Sequence, residues 1–187
     1  MKFIRDRCIY TKVLRSEAAA NGCKVISTKW LDINKSDDFN PNIRSRMVGR
    51  ELKLDNRLEL FATTPPLEAL RIICSICASH QHRFHGMDFR MMSIDVRRAY
   101  FYAKSIRPAY IEIPKEDWEP GDEDRIARLN FTLYGTRDAA QNWTAEYTGF
   151  LMSIGFATGV ASTCSFWRKD RELYISVHGH DFAITGP

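Results

Sequence analysis

The sequence contains no apolar run approaching the ~20 residues a helix needs to cross a bilayer, so no membrane partner is expected. Its start, M-K-F-I-R-D-R, is basic but is followed by no apolar segment of the secretory kind. Cysteines are few and odd in number. Cys8, Cys23, Cys74, Cys77 and Cys164 fall at irregular spacing, which argues against a disulfide framework and suits reduced thiols in an intracellular compartment. Neither an internal repeat nor a low-complexity tract is visible, which excludes repeat arrays. What is present is an ordinary globular composition: 187 residues, 44% hydrophobic and 27% charged, enough for one domain or one and part of another. The net charge of +4 is unevenly placed. Residues 1–60 carry 13 Lys and Arg against 8 Asp and Glu, a net +5, and the remainder carries 14 against 15. A polyanionic partner is therefore expected at the N-terminal third.

Hydrophobic periodicity divides the chain into strands and two helices. Residues 1–23 offer no firm element. Lys24 to Ile33 reads as one strand and Asn34 to Asn42 as a polar loop. Ile43 to Leu52 reads as a strand carrying Arg44, Arg46 and Arg50 on one face, where like charges repel unless solvent or an anion lies against them. Thr63-Thr64-Pro65-Pro66 opens a helix that runs to about Ser79. Phe89 to Val96 reads as a mostly apolar, buried strand ending in Asp95. Short strands are expected at Ala109 to Pro114 and within Ile126 to Tyr134, and a helix from Thr136 to about Ile154, stopped by Gly155. Cys164 to Trp167 and a closing hairpin complete the pattern.

That hairpin carries the densest chemistry. Leu173, Ile175 and Val177 alternate with Tyr174 and Ser176, and Phe182 to Thr185 forms a second run. Between them lie His178, Gly179, His180 and Asp181, with glycine suited to a tight turn. An ionisable tip on an apolar hairpin fits a metal or phosphate site, or a solvated turn. Cys74-x-x-Cys77 followed by His80, His82 and His85 is a second possible ligand set, for zinc. Both cysteines fall in the predicted helix, however, where residues three apart are more often small core hydrophobes. The chain stops at Thr185-Gly186-Pro187, directly after a strand, and reads as a fragment.

A strand ending in Asp, a Leu-Tyr-Gly turn into a helix and a hairpin ending in Asp fall in one order. S-I-D-V-R-R-A-Y, L-N-F-T-L-Y-G-T-R-D-A-A-Q-N-W and V-H-G-H-D-F-A-I-T-G together resemble the palm motifs of Ty1/copia-type retrotransposon reverse transcriptases. K-W-L-D-I-N-K, R-S-R-M-V-G-R-E and L-F-A-T-T-P-P-L-E-A-L-R upstream are similar to the segments that precede the palm. The resemblance implies an α+β fold: a right-hand polymerase palm of split β-α-β type, with an antiparallel sheet and helices on one face, and a partial fingers module. It places fingers at 24–88 and palm at 89–187, leaving 1–23 unassigned.

The resemblance also implies chemistry. Nucleotidyl transfer uses two Mg²⁺ ions held by carboxylates from adjacent strands. Asp95 and Asp181 would supply them, with the Val96 carbonyl helping one ion. Tyr100 would stack under the sugar and exclude a 2′-hydroxyl, the plainer alternative being a core tyrosine. Arg44 and Arg46 would touch the triphosphate. Gly135 would admit the nucleotide and template, with Arg137 behind it. Implied partners are an RNA or DNA template-primer, deoxynucleoside triphosphates and the remainder of a retroelement polyprotein. The departure is His180, where the family carries the first of two aspartates. Imidazole is a poor Mg²⁺ ligand, though Mn²⁺ tolerates it better. Each lost charge–charge interaction is on the order of 4 kcal/mol at ~4 Å and an effective dielectric of ~20. A fraction of that is decades of rate, so an impaired or non-catalytic, nucleic-acid-binding copy is expected.

Overall fold

A computed structural model describes residues 1–51, 64–79 and 88–187. The chain forms two compact units, each assembled from separated segments: 1–60 with 100–143, and 61–99 with 144–187.

In chain order, the first stretch of unit one holds α1 (Lys2–Asp6), β1 (Tyr10–Leu14), α2 (Arg15–Ala20), β2 (Val25–Ile26), β3 (Thr28–Asn34) and β4 (Ile43–Gly49). Unit two opens with α3 (Leu67–Ser79) and β5 (Arg90–Asp95). The chain returns to unit one for β6 (Tyr110–Ile111) and β7 (Arg125–Leu129). Helix α4 (Ala139–Ser153) runs through the division at 143, and β8 (Ala157–Thr158), β9 (Ser165–Arg168), β10 (Leu173–His178) and β11 (Asp181–Gly186) complete unit two. The fold is mixed α and β with mainly antiparallel sheets.

Unit one is a four-stranded sheet in the order β1-β7-β6-β2, with a separate β3–β4 hairpin. Among the described residues its one parallel pairing is β2 with β6. Ile9, Ile111, Ala127 and Leu133 are fully enclosed in its core, where Ile26, Met47 and Phe101 also pack. Residues 1–23, which offered no element to periodicity, are structured. β1 is short and its alternation is broken by Lys12, whose ammonium reaches back to Asp122 (2.6 Å) and the Asp117 carbonyl (2.7 Å). The expected strand Lys24 to Ile33 is two strands in different sheets. The chain changes partner at Ser27: the Ile26 carbonyl accepts from Glu112 N–H, and the Ser27 carbonyl from Arg50 N–H.

Unit two is a five-stranded antiparallel sheet, β5-β11-β10-β9-β8. α3 packs against β10, β11 and β5. Tyr147 of α4 sets its ring edge-on to Phe166 (6.0 Å) and Phe182 (5.6 Å). α4 ends as its sequence predicts. Gly155 has φ +93°, and the Phe156 N–H closes back on the Leu151 carbonyl, the bond of a Schellman cap. The expectation for β5 is corrected. Every residue of β5 is exposed, because among the described residues it pairs only with β11 and forms the sheet edge. Asp95 therefore carries no burial penalty to be met by a buried cation.

Candidate active site

The β10–β11 hairpin closes through a two-residue loop, Gly179-His180, between the paired His178 and Asp181. Gly179 takes φ +62° while His180 does not take positive φ, the pattern of a type II′ turn with glycine first. This turn matches the right-handed twist of its strands, so the tip is held rather than loose. β11 then lies antiparallel to β5 in a register that puts Asp181 directly opposite Asp95. The Val96 N–H donates to the His180 carbonyl (2.9 Å), extending the ladder past the strand ends and locking Asp95-Val96 to the hairpin tip.

The three side chains that result share one point. One donor atom each from Asp95, His180 and Asp181 lie within 4.8 Å of one another. His180 Nε2 is 3.6 Å from Asp95 Oδ1, with the imidazole 45% and the carboxylate 63% exposed. Two carboxylates directly opposite each other on a ladder repel, and nothing buries them.

The other residues that the resemblance implies, Arg44, Arg46, Tyr100, Gly135 and Arg137, belong to unit one. Arg44 is exposed and Arg46 half-buried on β4, opposite Ile33 and Leu31 of β3. Tyr100 lies in a 3-10 turn, Ala99–Tyr102, and packs its ring on Tyr134 (4.7 Å between centroids). Burial pushes the Tyr100 phenol up from its ordinary value. Gly135 has φ +82°, and a Cβ there would sit 2.1 Å from the Gly49 carbonyl oxygen. Its lack of a side chain therefore serves the close contact between β4 and the turn.

A cluster that the sequence reading missed surrounds that turn. The Arg107 guanidinium donates to Glu51 Oε2 (2.5 Å) and Asp138 Oδ1 (3.0 Å). Glu51 Oε2 also accepts the Arg137 N–H (2.9 Å), and Asp138 Oδ2 accepts from Asn142 (3.1 Å). Burial opposes the Arg107 charge, but the two carboxylates hold its pKa above the ordinary value. Arg137 is thereby fixed through its backbone. Glu51 and Asp138 both stood in the quoted motifs, but no spacing rule links them to Arg107.

The zinc alternative is only partly visible. Cys74 and Cys77 lie in α3, the first exposed and the second half-buried, with the Cys77 thiol directed at the Phe89 carbonyl (3.6 Å). His80, His82 and His85 lie outside the described residues. Among the described residues, Asp95, His180 and Asp181 form the one cluster able to hold a metal.

The antiparallel sheet thus brings two carboxylates from adjoining strands together beside a hairpin tip. Residues 12–187 match the family described as reverse transcriptase (RNA-dependent DNA polymerase), and the chain belongs to that family. It is similar to the retrovirus-related Pol polyprotein from transposon TNT 1-94 of Nicotiana tabacum, 22% identical over 173 residues. It is likewise similar to the Pol polyproteins from transposons RE2 (23% over 170 residues) and RE1 (26% over 175 residues) of Arabidopsis thaliana. Each match covers 88% of this chain but only 11–12% of the relative. The copia-type similarity thus covers most of the chain. No solved structure matches.

Proposed function

We propose that the chain is the polymerase region of a copia-type reverse transcriptase, with unit two as the catalytic part of a palm, and that its site is impaired for Mg²⁺-dependent nucleotidyl transfer. The observation that carries this is the register of Asp95 opposite Asp181, at the ends of β5 and β11 beside the hairpin tip. Family membership supports the activity class, with a nucleic-acid template-primer and deoxynucleoside triphosphates as partners.

The donor set does not suit a pair of Mg²⁺ ions. Mg²⁺ asks for oxygen ligands in near-ideal octahedral geometry, and the third donor here is an imidazole nitrogen. The residues of unit one retain their roles in this reading. Arg44 and Arg46 present cationic groups for phosphate, Tyr100 offers a ring for the sugar, and Gly135 and Arg137 shape the surface over which nucleotide and template pass.

The test grafts this region into a complete copia-type enzyme, with and without His180→Asp. The graft carrying Asp should extend primers with Mg²⁺ at least tenfold faster than the graft carrying His. Equal activity in the two grafts would show that His180 is no lesion. Activity in the His180→Asp graft that survives Asp95→Asn would remove the palm assignment itself.

A further inference from the structure

We infer that Asp95, Asp181 and His180 form a site for a single first-row transition-metal ion such as Mn²⁺ or Co²⁺, selected over Mg²⁺ by the His180 imidazole. The inference rests on the reading above only for the identity of the site, since it concerns binding and not polymerisation.

Geometry comes first. Donor atoms sharing an ion at bond lengths of ~2.0–2.2 Å are ~3 Å apart when adjacent and at most ~4.4 Å apart when opposed. The three donors here lie within 4.8 Å, and the His180 Nε2–Asp95 Oδ1 pair at 3.6 Å is already in range. All three side chains are exposed, so rotations of a few tenths of an ångström meet no packing. The backbone beneath them is fixed by the II′ turn and by the Val96–His180 hydrogen bond.

Charge comes second. The ladder opposes two carboxylates, a like-charge arrangement that a cation between them relieves. Ligand chemistry decides which cation. Two carboxylates and one neutral imidazole are a mixed oxygen–nitrogen set; imidazole favours ions later in the first transition row, while Mg²⁺ keeps oxygen ligands and water. Three protein ligands also leave positions open for water or a phosphate oxygen.

Mn²⁺ is the probe of choice because Cys74 and Cys77 compete for it less than they would for zinc. Electron paramagnetic resonance titration of the chain, without nucleic acid or nucleotide, should give one tight Mn²⁺ per molecule. Pulsed measurements should detect a coupled imidazole nitrogen that disappears in His180→Ala and persists in His178→Ala. Mg²⁺ at tenfold excess over Mn²⁺ should displace little of it, whereas His180→Asp should lower the Mn²⁺-to-Mg²⁺ affinity ratio at least tenfold. Asp95→Asn and Asp181→Asn should each weaken Mn²⁺ binding at least tenfold. Absence of nitrogen coupling in the unaltered protein, or equal affinity for the two ions, would overturn the inference and leave the polymerase reading standing. Equal activity of the two grafts above, with nitrogen coupling present, would do the reverse.

Discussion

Gly135 shows how narrowly a single residue can be constrained. It sits at φ +82°, where side chains are strained, and its missing Cβ leaves room for the Gly49 carbonyl. That same stretch of backbone carries the hydrogen bond from Gly49 N–H to the Tyr134 carbonyl (2.7 Å). Gly135→Ala must therefore accept left-handed strain of ~1 kcal/mol or more and also push β4 away from the turn. The expected outcome is destabilisation of about 2–4 kcal/mol, read as a lower urea midpoint with unchanged slope. A midpoint within error of the unaltered protein would show that the turn and β4 separate freely. His180 is the opposite case. Its side chain is 45% exposed at a turn that requires only its neighbour's glycine, so the fold makes no comparable demand on it.

At the scale of the element, β4 separates two jobs by its pleat. Met47 and Gly49 face the core, while Arg44, Arg46 and Val48 project on the other side. The β3–β4 hairpin has a loop tied by its own side chains. Asn34 Oδ1 accepts from Ser36 and Asn42 N–H groups, and Asp37 Oδ1 from those of Phe39 and Asn40. A strand held at both ends can present cations in fixed positions. If they meet phosphates, each contact contributes about 0.9 to the slope of log affinity against log salt on duplex, and somewhat less on single strands. Arg44→Ala with Arg46→Ala should weaken binding to every sequence alike and flatten that slope by about one to two. A slope unchanged in the double variant would make both arginines ordinary solvated surface.

At the scale of the whole molecule, both compact units are closed by segments far apart in sequence, and unit one depends on its N-terminus for closure. Lys12 of β1 reaches Asp122, 110 residues on, and Tyr10 donates to Asp117 Oδ2 (2.6 Å). Lys12 is the main cause holding the Asp122 carboxyl below its ordinary value. A depressed folded pKa contributes stability that is complete above the unfolded value near ~3.9 and is lost as pH falls through the folded one. Thermal unfolding should therefore lose midpoint below about pH 4, and Asp122→Asn should remove part of that loss while lowering the midpoint at pH 7. An acid dependence identical in the two proteins would show that β1 is anchored by its apolar contacts alone.

The sequence by itself determined the elements with strong periodicity and the order of the chemical groups. α3, the body of α4, its glycine stop and the β10–β11 hairpin follow from local pattern, because helix and turn preferences act over a few residues. The motifs around Asp95, Gly135 and Asp181 likewise identify the family, since their spacing is linear information. Tertiary structure alone decided the rest. The break at Ser27, the strand β1 and the exposed edge position of β5 depend on which strand lies alongside, and a pairing partner far along the chain leaves no local trace. For the same reason Arg107 could not be linked to Glu51 and Asp138 by reading along the chain. The acidic site combines both kinds of information. Its residues are legible one by one, but the opposition of Asp95 to Asp181 is a matter of register. A slip of one residue in β11 would turn the Asp181 side chain to the other face of the sheet.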